Sequence, residues 1–251
     1  MKINRFNYRK KLVLIISVFV GILILFGGSL YLSINIADTS AKNSISDVRQ
    51  SVIDKTADIN SKLADNNLSI IDKRDELSNY ASTLKDTIDS VCENQQKLIY
   101  FALGKEKTHC EEVAKSLTAL DDSVNRIVDY FAGDVSLSLV FADLQPDLSL
   151  EASYSQWSKV YDDLSSVQVS DDLGVAKTAL ATAVMSYRDN WKALVDADAA
   201  KDSDAFTSAQ NSLLTTYSGI SSASDELKNG LSILNDIFKA DFNEFMSKSK
   251  S

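Results

Sequence analysis

Hydrophobic positions recur with helical periods along almost the whole chain, and the first of them form an unbroken block. From Leu12 to Ala37 no residue carries a charge. A helix rises ~1.5 Å per residue, so roughly 20 such residues cross a ~30 Å hydrocarbon layer, and the block predicts a transmembrane signal anchor over 12–37. Beyond it, residues 29–103 contain neither Gly nor Pro, and Leu63, Ile70, Leu77, Leu84, Val91 and Leu98 recur every seven residues, with Thr56 preceding in phase. That spacing fits both the seam of a coiled coil and one helix of an antiparallel bundle. Unbroken, 43–103 would form a rod of about 90 Å. Asp65-Asn66-Asn67, followed by the capping-box pair Ser69 and Asp72, predicts an interruption that would kink it.

Gly104 then closes one helix, and Thr108 with Glu111 opens another that carries Val113, Leu117, Leu120, Val124 and Ile127 on one face. Gly133 is expected to stop it, completing a helical hairpin stalk over 38–133. In 134–149 the alternation of Val135, Leu137, Leu139 and Phe141, followed by Pro146, predicts an extended linker. Three more helices follow, at about 150–167, about 171–199 and from about 203, and form a helical bundle over 150–251. The third either ends at Gly230 or passes through it, because the 3–4 spacing continues to Phe238, Phe242 and Phe245. The fold class is therefore all-α: an N-terminal transmembrane helix, a helical hairpin or coiled-coil stalk, and an antiparallel bundle. A single Pro and eight Gly in 251 residues oppose a turn-rich β fold.

Charge sharpens this picture because it is unevenly placed. Lys2, Arg5, Arg9, Lys10 and Lys11 give the 1–11 flank +5 with no acid, leaving 21 bases against all 35 acids from Asp38 onward, a balance of −14. The positive-inside bias puts this flank in the cytoplasm and the acidic body outside. An acidic body lacks the clustered Lys and Arg that displace phosphate counterions, so nucleic acid is not an expected partner. The competing reading is a cleaved signal peptide, with Thr39-Ser40-Ala41 as a small-residue site and secretion after cleavage near Ala41. The uncharged stretch outruns the usual ~7–15 residue apolar region and favours retention.

Chemistry is sparse. Cys92 and Cys110 are the only cysteines; outside the membrane, an even count makes a disulfide the leading reading. Geometry objects: in an ideal hairpin turning at 104–107, Cys110 faces residue 101, some ~13 Å from Cys92, whereas a disulfide needs Cα atoms within ~7 Å. Either the first helix ends near 94–96 and 97–107 forms a looped cap, or the cysteines are free or pair between chains. His109 lies in a capping turn and matches no zinc pattern, and no G-x-S-x-G, H-E-x-x-H or P-loop sequence occurs. Asp196, Asp198, Asp202 and Asp204 imitate part of a calcium loop but lack its turn Gly and closing Glu, so a turn capped by Asp202 or Ser203 is expected instead.

No catalytic residue, cofactor or metal site is therefore expected, and the chain is read as a non-enzyme. The expected function is a membrane-anchored extracytoplasmic structural or protein-interaction module at the cell surface or envelope, meeting a protein partner or a second copy of itself. Its interaction face would comprise the ladder from Leu63 to Leu98 and the stripe Phe238, Phe242 and Phe245. The alternative is a ligand-sensing bundle that signals through a separate membrane partner; in general architecture the outer part resembles chemoreceptor-type sensory bundles.

Overall fold

The computed structural model describes the backbone of residues 5–65, 67–93, 101 and 104–250, with side chains from Ser29 onward apart from Lys228. Among these residues there are six α-helices and no strand: α1 Arg5–Ala64, α2 Ile70–Ser90, α3 Glu106–Leu139, α4 Leu150–Ser166, α5 Asp171–Ala200 and α6 Ser203–Lys248. The all-α expectation holds. The anchor expected over 12–37 lies, as far as Gly28, outside the residues whose side chains are described. Among the described residues no helix is long and apolar enough to cross a membrane.

From Ala37 onward α1 buries one stripe at 3–4 spacing: Ala37, Ala41, Ile45, Val48, Val52, Thr56 and Ile59. It ends at Ala64, so the straight rod over 43–103 is not formed. Asp65 accepts a hydrogen bond from the Asn67 backbone N–H at 2.8 Å, and Ser69 and Asp72 cap α2 reciprocally, Asp72 N–H to Ser69 Oγ at 3.1 Å and Ser69 N–H to Asp72 Oδ2 at 3.2 Å. Local side chains thus satisfy the backbone groups that a continuous helix would have paired. The helix α2 returns along α1, packs on α3 and buries Leu77, Tyr80, Ala81 and Leu84.

Gly133 does not stop α3, which continues to Leu139; the expected extended segment from Val135 to Leu139 is helical, with Leu137 buried. Gly133 serves packing: a Cβ there would sit 2.4 Å from Leu173 Cδ1 on α5. Residues 140–149 form the true connection, fixed by the Gln145 N–H to Gln156 Oε1 bond of 2.8 Å and its reciprocal from Gln156 Nε2 to the Gln145 carbonyl. Gly230 likewise lies inside α6, where a Cβ would sit 2.9 Å from the Tyr130 hydroxyl, which donates to the Leu227 carbonyl.

Two groups of helices share one core. Near α1, the helices α1, α2, α3 and the C-terminal half of α6 surround Ile45, Leu84, Leu117, Leu120 and Phe245. Farther along, α4, α5 and the N-terminal half of α6 pack around Trp157, Leu164, Val184 and Tyr187, joined by the end of α3. The helices α3 and α6 belong to both groups, so no flexible linker separates them.

Candidate functional site

The end of the bundle where α1 enters is held by covalent and polar contacts. Cys92 and Cys110 form a disulfide with Cα atoms 6.2 Å apart, both buried. The geometric objection is met because α2 ends at Ser90, earlier than the sequence required. Cys92 takes φ 55°, turning the chain toward α3, and its N–H reaches Ser44 Oγ on α1 at 3.4 Å.

Beside the disulfide, Asp38 of α1 caps a different helix. Its carboxylate accepts from the Lys105 N–H at 3.3 Å and the Glu106 N–H at 3.5 Å, placing an anion at the start of α3 where unpaired N–H groups converge. Gly104 permits this, since a Cβ there would lie 2.1 Å from Asp38 Oδ1. Lys42 pairs with Glu106 at 3.5 Å. His109, read from sequence as part of a capping turn, bridges elements: Nδ1 lies 2.9 Å from Glu106 Oε2 and Nε2 lies 2.7 Å from the Lys248 carbonyl at the end of α6. Lys248 Nζ meets Glu112 at 3.2 Å. Gly104 was read only as the end of a helix and Asp38 only as the first acid of the body; the antiparallel return of α2 brings them together.

A cavity lies at the other end of the same helix group, beneath the 65–69 turn. It has a volume of about 450 Å³ and is walled by Ile59 and Leu63 of α1, Leu77 of α2, Ile127 and Phe131 of α3, and Phe238 of α6. Tyr80 contributes to its floor. Thr56 Oγ1 donates to the Val52 carbonyl at 2.7 Å, so the 2.6 Å contact with Tyr80 is donated by the tyrosine hydroxyl. Burial pushes the Tyr80 phenol up to about 12. Thr56 was visible as the polar member of the seven-residue ladder; its partner was not. The rim carries Asn60, Asn235 and Lys73, and Lys73 is the one charged residue among the described lining.

The expected interaction face divides. Leu77, Leu84, Val91 and Phe245 lie in the core, Leu63, Phe238 and Phe242 are half-buried against it, and Ile70 is exposed at the cavity edge. Leu98 is outside the described residues. The buried members are engaged by the chain's own bundle because α6 returns to cover α3, a tertiary contact that periodicity does not encode. In the far group, Trp157 and Trp191 meet Tyr187 edge-on at 4.6 and 6.2 Å, and Arg188 stacks 4.6 Å over Tyr161. Asp202 caps α6 through the Asp204 and Ala205 N–H groups, and no group of three or more His, Cys, Asp or Glu converges among the described residues.

No protein-family model, no curated protein and no solved structure matches the chain.

Proposed function

We propose that the protein is a single-pass membrane protein with its N-terminus inside, whose helical body stands outside the membrane as a structural and protein-contact module. The observation that carries this reading is where α1 leaves the bundle. Leu30, Tyr31, Leu32 and Ile36 are 43%, 70%, 60% and 67% exposed, a collar of large apolar side chains directly continuous with the uncharged block from Leu12. Among the residues of α1 whose side chains are described, Ala37 is the first that is fully buried. An exposed apolar collar of this kind is costly in water and favourable in lipid. Polar side chains along it are satisfied internally: Ser33 Oγ donates to the Ser29 carbonyl and Thr39 Oγ1 to the Asn35 carbonyl, both at 2.8 Å.

Retention of the anchor also fits the packing. Ala41 is fully buried within α1, and Asp38, upstream of a cut near Ala41, caps α3. The disulfide suits an extracytoplasmic compartment. With α3 and α6 running through both helix groups, the far group is held at a set distance from the membrane and available for protein contact. The test is protease treatment of intact cells expressing the full chain with an epitope at each end. Removal of the C-terminal epitope with retention of a membrane-bound N-terminal one is expected; a mature chain lacking residues 1–41 overturns the anchor.

A second, ligand-binding reading is favoured by one observation, the cavity beneath the 65–69 turn. Its volume falls within the ~300–1,000 Å³ range of small-molecule sites, and its walls are apolar with few polar groups at the rim.

A further inference from the structure

We infer that this cavity binds a free medium-chain carboxylate, with the chain between α1, α3 and α6 and the head group at Lys73. The inference rests on the ligand-binding reading above and names its ligand class.

The apolar part follows from the walls. Leu63, Leu77, Val124, Ile127, Phe131 and Phe238 surround the space and present no charge. A charged body would be stripped of water there without a partner, which is costly. An acyl chain exchanges water for apolar contact on all sides.

The head-group part follows from the local charge pattern on α2. Every acid within three residues of Lys73 on this helix is already engaged: Asp72 by the hydroxyl and N–H of Ser69, Asp75 by Arg74 at 2.7 Å, and Glu76 by Lys62 at 2.8 Å. Lys73 itself has no ion pair or side-chain hydrogen bond among the described residues, and no carboxylate lines the cavity beside it. An unpaired, half-buried ammonium at the mouth of an apolar space complements a single anion on an apolar tail. Asn60 and Asn235 also line the cavity and carry amide N–H groups able to donate to a carboxylate oxygen. A cationic amphiphile would meet Lys73 as a like charge.

The test uses the full chain in phosphatidylcholine nanodiscs, or in buffer if it stays out of the discs, with a diazirine-bearing decanoate as probe and peptide mass mapping as readout. Saturable labelling is expected on peptides carrying Leu63, Leu77, Phe131 and Phe238, displaced by decanoate and not by decyltrimethylammonium. Lys73→Gln should raise the half-saturating concentration about tenfold, the loss of one charge-assisted contact, while Lys73→Arg keeps it near the parent value. Leu63→Trp should abolish labelling, with an intact Cys92–Cys110 link confirming that this variant has folded. Labelling that is confined to residues 29–36 or does not saturate overturns the inference. So does cavity labelling that Lys73→Gln leaves unchanged or that both amphiphiles displace equally. The protease experiment on the anchor is independent of these results, so the two readings fail separately.

Discussion

Two glycines, Gly133 and Gly174, make opposite demands at the residue scale. A Cβ at Gly133 would collide with Leu173, which is fully buried and unable to swing away, whereas a Cβ at Gly174 meets nothing within 4 Å. Both lie inside helices, where Ala is favoured over Gly by about 1 kcal/mol. Gly174→Ala should therefore raise stability by about 0.5–1 kcal/mol, and Gly133→Ala should lower it by about 1–3 kcal/mol through overpacking; paired thermal melts check the sign of each. The tyrosines set the alkaline limit. Burial raises the Tyr80 phenol to about 12, and burial followed by the nearby Asp134 charge raises Tyr130 to about 12. The fold favours their neutral forms, so this stability is complete below the unfolded tyrosine value of ~10 and is lost as pH rises from there through 12. Melting temperatures between pH 8 and 12 should fall over that window, and less steeply in Tyr80→Phe.

At the scale of elements, helices were legible wherever burial followed a single face, and their ends were legible wherever a side chain caps its own helix. Ser69 with Asp72 is such a case, and so is Asp202. Ends decided by distant parts of the chain were not. Gly133 carries a stop signal in sequence, yet α3 continues because Leu173 of α5 requires the missing Cβ. The disulfide was expected, and an early helix end near 94–96 was one way to close it; α2 ends earlier still, at Ser90, and Val91 and Cys92 contain no Gly or Pro to announce that end. The cap on α3 is a carboxylate 67 residues away in sequence from the N–H it accepts. Asp38→Ala should cost about 1 kcal/mol, the usual value of a lost N-cap, and should raise amide exchange in the first turn of α3 before the rest of that helix. Reducing Cys92–Cys110 should lower stability by about 3 kcal/mol, as expected for a closed loop of this length, read from denaturant melts with and without reductant.

For the whole molecule, the charge asymmetry and the uncharged block pointed to an anchored body, and the seven-residue ladder pointed to helix packing. What the ladder could not say is which surface covers it. Leu77, Leu84 and Val91 have the spacing of an interface between chains, and α2, which carries the first two, packs on the chain's own α1 and α3. The cavity was invisible for the same reason: it exists because α1 ends at Ala64 and α2 begins at Ile70 while α3 and α6 continue past them, leaving apolar walls taller than the two helices that close them.

The continuity of α3 and α6 has a mechanical side. In the proposed orientation, a pull on the far 200–203 turn against a membrane-held α1 cannot peel helices apart one at a time. It must slide α1 lengthwise past α2 and α3, breaking the contacts from Ala37 to Ile59 together, while the disulfide keeps α2 from paying out toward α3. Forced unfolding is governed by the unfolding rate, so single-molecule stretching between these points should give one high-force event, and pulling across the 65–69 turn a series of weaker ones.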